Sequence, residues 1–243
     1  MKKSNKFSLF TILFFLITVS CTNKNNDILP DGGSVSTVTD IDGNVYKTVK
    51  IGTQTWMAEN LKTTKFNDGL VVPLITSNAA WSALTTPAYC WYNNDLANYK
   101  VSYGGLYNWY AVNSGRLAPK GWHVASDQDW VMLENFVSNN LGNSPSQGKA
   151  LAADYSWEYD NSLNVIGNDL TKNNSSGFGA LPGGCRALSD GSFSIISYAG
   201  HWWTITESNN TTAWGHYAYN GYTTFGRYNF NKQSGLSVRC IKD

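Results

Sequence analysis

Charge is scarce in this chain. Lys, Arg, Asp and Glu make up 14% of it, where about a quarter is usual, and its 18 basic side chains nearly balance its 17 acidic ones. Lys2, Lys3 and Lys6 stand ahead of the first apolar run, and without them the remaining chain is slightly acidic. That balance excludes an electrostatic grip on nucleic acid or anionic lipid, both of which need clustered Lys and Arg. Histidine is rarer still, at 3 residues. Neither a second ligand four positions on nor a Cys-x-x-Cys pair accompanies His123, His201 or His216. There is no G-x-S-x-G elbow, and Gly148-Lys149 is followed by Ala150 rather than the hydroxyl residue of a phosphate-binding loop. Asp40-x-Asp42-Gly43 opens like a calcium loop but has no Glu at its far end. We therefore expect no catalytic residue, no metal and no cofactor.

Long apolar runs are missing too, with one exception. Residues 9–19 (LFTILFFLITV) follow the three lysines and are too short for the ~20 residues of a spanning helix. Ser20-Cys21 comes next. This is the layout of a secretory signal, and a small residue before Cys suits a lipoprotein signal peptidase, although Thr18 stands where an aliphatic residue is usual. We expect residues 1–20 to be removed and Cys21 to be lipidated, since two or three acyl chains anchor a protein stably where one does not. Residues 21–37, rich in Asn, Gly and Ser, read as a flexible tether, and residues 38–243 as one domain with a full core. The expected location is the bacterial cell envelope, on the periplasmic or outer face of the outer membrane, with lipid as the first partner. Besides Cys21 there are only Cys90, Cys185 and Cys240. Export permits a disulfide, so Cys240 with either of the others, or three free thiols, are the alternatives.

Aromatic residues supply what charge does not, at 14% of the chain. Residues 45–51 (VYKTVKI) alternate at period two and predict a strand, with residues 54–59 as the other arm of a hairpin. Residues 77–84 predict a short helix capped by Ser77 or Asn78, and residues 88–92 a buried strand. Residues 105–112 predict a helix, residues 122–124 a strand. Ser126 can cap the best helix of the chain, accepting from the Asp129 amide, with Trp130, Leu133, Val137 and Leu141 as its apolar stripe. Beyond Gly177, short strands alternate with glycine turns, including residues 201–207 and 236–241. Asn220-Gly221 reads as a hairpin turn. Helices in the first half and antiparallel strands in the second give an α+β fold.

Several segments together resemble the Fibrobacter succinogenes major paralogous domain, a family of exported bacterial lipoproteins and surface proteins. They are residues 40–69, AYCWYNND (88–95), YGGLYNWYAV (103–112), PKGWHVASDQDW (119–130), residues 180–193, HWWTITE (201–207) and SVRCIKD (237–243). Ala118 stands where the family commonly has Cys, and Cys185 where it commonly has an aromatic residue, so the family's disulfide pattern does not carry over. The order of G-W-H-V, S-D-x-x-W and S-V-R-C is also similar to the C-type lectin-like fold, in the branch of the formylglycine-generating enzymes. That resemblance implies a compact α+β domain of two or three helices whose terminal strands meet. The Glu-Pro-Asn and Gln-Pro-Asp calcium triplets of such lectins are absent. In the family turn, His123 is expected to be a buried, orienting residue.

Recognition then falls to aromatic residues. Along residues 213–219, Trp214 and His216 face one way, Tyr217 and Tyr219 the other. One face must be core. The other exposes either Tyr217, Tyr219 and Tyr222, or Trp214 and His216. Exposed rings beside Arg227 suit stacking and hydrogen bonding to a glycan or a surface protein. Asn93 and Asp95 add polar ligand candidates, and of the neighbours Trp202 and Trp203 one is expected in the core and one outside it. The expected function is a lipid-anchored, extracytoplasmic binding or adhesion module without enzyme activity. The alternatives are a structural component of an envelope assembly and an oxidase related to the formylglycine-generating enzymes.

Overall fold

Asp40 organises the first turn. One carboxylate oxygen accepts from the amides of Asp42 and Asn44 at 2.9 Å each, and the other from the Tyr46 hydroxyl at 2.6 Å. The turn joins β1 (Thr37–Thr39) to β2 (Val45–Ile51). The computed structural model describes residues 36–243; the signal, Cys21 and nearly all of the tether lie outside the described residues. Gly52, at a φ of +61° that favours glycine, turns the chain into β3 (Gln54–Met57). Next come α1 (Asn78–Ser82), capped by Ser77, then β4 (Tyr89–Cys90) and α2 (Leu96–Tyr103), a helix not foreseen.

Residues 105–112 are not one helix. Leu106–Tyr107 form β5 and pair with β4, and only Trp109–Val112 coil, as α3. Asn108 causes the break. Its side-chain oxygen accepts from the Ala111 amide at 3.1 Å and the Ala88 amide at 3.0 Å, so it caps α3 while pinning the preceding residues to the β4 segment. β6 (Trp122–Val124) and α4 (Asp127–Asn139) follow as expected. Ser126 and Asp129 exchange reciprocal bonds in a capping box, and Trp130, Leu133 and Val137 are buried. Ser146 caps α5 (Gln147–Leu151), also unforeseen. The long loop after it is held by the Lys149 ammonium, which donates to the Asn168 and Asp169 carbonyls and to Asn173 Oδ1.

The rest is strand: β7 (Cys185–Arg186), β8 (Phe193–Ser194), β9 (Ala199–Glu207), β10 (Thr212–Tyr219), β11 (Gly226–Asn231) and β12 (Cys240–Lys242). The fold is α+β, but strands are not confined to the second half. The largest sheet, β1-β2-β3-β12-β6, takes all but one of its strands from the first half. In it β12 lies between β3 and β6, with Ile241 opposite both Trp56 and His123. A second sheet, β11-β10-β9, has a bulge between Ala213 and Gly215. The link from β10 to β11 is no two-residue turn: the ladder ends at Tyr217–Gly226, and the loop inserts Phe225 into the core. Both faces of β9 are covered. Trp202 stacks on Phe225 beside Trp130, while Trp203 packs with Phe230 in a separate apolar cluster, and both tryptophans are fully buried. The expected exposure of one of them is thus overturned.

Arg239, just before β12, is fully buried. Its guanidinium donates to Asn60 Oδ1 (2.8 Å), to the Met57 and Phe178 carbonyls (2.8 Å each) and to the Gly179 carbonyl (2.7 Å), with the Phe178 ring beneath it. Asn60 Oδ1 also accepts from Trp202 Nε1 at 2.9 Å. One planar fork thus joins the end of β3, the long loop and the last strand. Arg239→Met orphans three buried carbonyls and takes one of its two donors from Asn60 Oδ1, and it is expected to cost about 3–5 kcal/mol in urea unfolding, with Arg239→Lys intermediate. A loss within about 0.5 kcal/mol of wild type for Arg239→Met would contradict this role.

Candidate functional site

Where the β11-β10-β9 sheet extends past the cover of α3, one face opens into an aromatic basin of about 320 Å³, lined by His201, Tyr217, Tyr219, Tyr222, Tyr228 and Phe230. Register assembles it. His201 on β9 lies opposite Tyr217 on β10, which lies opposite Gly226 on β11. The Tyr217 ring covers Gly226 so closely that a Cβ there would fall 2.3 Å from Tyr217 Cζ, and Phe230 covers Gly215 in the same way, at 2.9 Å. His201 forms the floor: Tyr217 stacks on it with centroids 6.1 Å apart, and Tyr219 and Phe230 meet it edge-on at 5.7 and 5.3 Å. Tyr222 closes against Tyr219 at 5.3 Å, and Tyr228 against Phe230 at 5.2 Å.

His201 is only 4% exposed, and its Nδ1 has no hydrogen-bond partner. A buried polar atom left so costs about 1–3 kcal/mol. Burial alone pushes the His201 pKa down to about 4, so the ring is neutral at ordinary pH. Among the described residues no hydrogen bond engages the hydroxyls of Tyr217, Tyr219, Tyr222 or Tyr228, and no charged side chain lines the basin.

The opposite face of the hairpin is structural. His216 is buried under α4, stacked on Trp130 with centroids 5.1 Å apart. Its Nδ1 lies 2.6 Å from Glu134 Oε1 and its Nε2 3.3 Å from Asp127 Oδ1. Burial lowers the His216 pKa, but the hydrogen bonds and charges of Asp127 and Glu134 outweigh it and hold it above the ordinary histidine value. Asp127 feels burial in the upward sense, yet His216 and Arg227 take it down to about 2. Arg227 donates to Asp127 at 2.6 Å and lies over the Trp214 ring.

The structure thus divides the expected ligand set. Tyr217, Tyr219 and Tyr222 share the basin; Trp214 and Arg227 lie on the other face, engaged with each other and with α4. Asn93 and Asp95 sit at the start of α2, where Asp95 caps the helix by accepting from the Asn98 amide, and no contact brings them to the basin. His123 is half-exposed, not buried, 2.7 Å from Asp243 and 3.3 Å from Asp129. His201, Tyr228 and Phe230 were missed as site residues. The alternation of Tyr228 and Phe230 with Arg227 and Asn229 was the available signal. Cys90, Cys185 and Cys240 are free thiols, the first and last buried. No group of His, Cys, Asp and Glu able to hold a metal occurs among the described residues, and none of their helices is long and apolar enough to cross a membrane.

The family model described as Fibrobacter succinogenes major domain matches residues 49–242, basin included, and the chain belongs to that family. No curated protein and no solved structure matches it.

The two buried histidines predict opposite pH dependences. A pKa raised on folding contributes stability in full below the unfolded value of about 6.5, lost as pH rises through the folded value. His216→Gln is therefore expected to flatten a decline in stability above neutrality. A lowered pKa acts the other way, so His201 removes stability as pH falls from about 6.5 towards 4. Replacing it by Phe should flatten that acid limb. Urea unfolding of the three proteins from about pH 4 to 9 separates the two, and unchanged profiles in both variants would refute the assignment.

Proposed function

We propose that this member of the family is an extracytoplasmic binding module, held on the cell envelope by lipid on Cys21 and taking a glycan in the aromatic basin. The lysine-led apolar run ending at Ser20-Cys21 supports the anchor. The observation that carries the binding reading is the basin itself. At the small end of the ~300–1,000 Å³ of ligand pockets, it suits a ring or two better than a broad protein surface. It offers tyrosine faces for stacking and unengaged hydroxyls for hydrogen bonds, the amphipathic combination a sugar presents in return.

We assign no reaction to the protein. An oxidase built on its cysteines would need thiolates, and burial pushes the Cys90 thiol up to about 12 and the Cys185 thiol upward as well. The meeting of β3, β12 and β6 supports a C-type lectin-like reading of the fold, in which the chain's first and last segments close one body.

Glycan arrays probed with the mature chain test the binding reading. A bound glycan is expected, with Tyr217→Ala/Tyr219→Ala weakening it at least about tenfold, since each lost ring contact is worth on the order of 1 kcal/mol. Unchanged circular dichroism would show the variant folded. Failure to bind any glycan, or indifference to the double variant, would end the proposal. For the anchor, Cys21→Ser should abolish incorporation of labelled fatty acid in the native cell; retained label would place the lipid elsewhere.

A further inference from the structure

The basin has a feature that stacking alone leaves unexplained: the imidazole at its floor makes no hydrogen bond, and its Nδ1 is buried and unpaired. Buried polar atoms in folded proteins are almost always satisfied, and an exception in a cleft points to a group that arrives with the ligand. We propose that the ligand is an uncharged saccharide, one of whose hydroxyls pairs with the His201 imidazole, and that His201 is the specificity contact of the basin. This rests on the glycan reading above and narrows it.

Three observations select that chemistry. The lining holds no cation, and the one arginine of the hairpin, Arg227, is on the far face and committed to Asp127. A carboxylate or sulfate on the ligand would be desolvated against tyrosine rings with no counter-charge. Asp160 lies by Gly221, the residue before Tyr222, where its carboxylate would repel an acidic sugar. A quaternary ammonium could use the ring faces as a cation cage, but it has no hydrogen to donate and no lone pair to accept, so Nδ1 would stay unpaired. A sugar hydroxyl both donates and accepts, and therefore serves whichever tautomer His201 adopts.

The shape is built for the purpose by the two glycines under the walls. Gly226 and Gly215 let the Tyr217 and Phe230 rings lie flat against the sheet on either side of His201. Tyr217 and Tyr219 from β10 and Phe230 from β11 are the rings that face the imidazole, and the Cys185 thiol of β7 lies close enough to help raise the Tyr219 hydroxyl after burial has done most of it. No carboxylate or ammonium is among them.

Titration calorimetry with the mature chain tests the inference. The probes are neutral hexamers of gluco, galacto and manno configuration, a galacturonate hexamer, and tetramethylammonium. At least one neutral hexamer is expected to bind, with an affinity unchanged between about 50 and 500 mM salt because no ion pair is involved. Galacturonate and tetramethylammonium are expected not to. His201→Phe keeps the apolar floor and should weaken the neutral hexamer about tenfold or more. His201→Asn, which retains a donor and an acceptor, should weaken it less. Gly226→Ala should displace the Tyr217 ring and also weaken binding, and thermal melts establish that each variant is folded. Preference for galacturonate, or equal affinity in folded His201→Phe, would overturn the inference while leaving a glycan site in place. Binding of tetramethylammonium alone, or of no sugar at all, would overturn the glycan reading with it.

Discussion

The Arg239 guanidinium is the point on which the described structure turns. It is a fully buried charge with no carboxylate in contact; its partners are three main-chain carbonyls and the Asn60 amide oxygen. Desolvation takes its pKa down to about 9; the Glu59 charge opposes that fall, each neutral acceptor aims a dipole at the guanidinium, and it remains charged at neutral pH. Such an arrangement is stable only if every acceptor is in place. Those acceptors come from Met57 at the end of β3, from Asn60 just after it and from Phe178 and Gly179 in the loop before β7, while Arg239 itself stands just before β12, so the group can be buried only when the two ends of the domain have met.

From there the order propagates into the second sheet. Asn60 holds Arg239 and Trp202 together, and Trp202 is the neighbour of His201. The amide of Ser237 donates to the His201 carbonyl and the amide of Trp203 donates back to Ser237. β9 is thus fastened to the chain's last segment as well as paired with β10, and the height of His201 in the basin follows from that fastening. On the opposite face of the sheet, the His216, Asp127 and Glu134 cluster ties β10 to α4. The aromatic face is left free to open because charge and hydrogen bonding hold the sheet from behind.

Local chemistry was legible in the sequence, and long-range pairing was not. Ser126 with Asp129 announces α4, Ser77 announces α1, and the alternation of residues 45–51 announces β2, since each signal acts within a few residues. Asn108 misled because its cap splits an apolar stretch into a strand and a single helical turn, and only its bond to Ala88 decides where. Trp202 and Trp203 were expected to part company, but clusters packed on both faces of β9 bury the two alike. Tyr217 and Tyr219 could be grouped by period two, and Tyr222 with them across the turn expected at Asn220-Gly221. His201, Tyr228 and Phe230 join them only through the register of three strands, which the bulge at Ala213 and Gly215 shifts. Trp214 and Arg227 carried the right chemistry for a ligand and were spent on α4 instead.

One buried clasp closes the domain and fixes the floor of the basin with it. Native-state hydrogen exchange tests this directly, through the amides of Leu61, Ala125, Trp203 and Ser237, whose acceptors are the carbonyls of Val238, Arg239, Ser237 and His201. If the clasp governs both sheets, these four amides exchange together, at the slowest rate in the protein and with the free energy of global unfolding. A separate, faster opening of Trp203 and Ser237 while Leu61 and Ala125 stay protected would show that the basin's sheet does not depend on it.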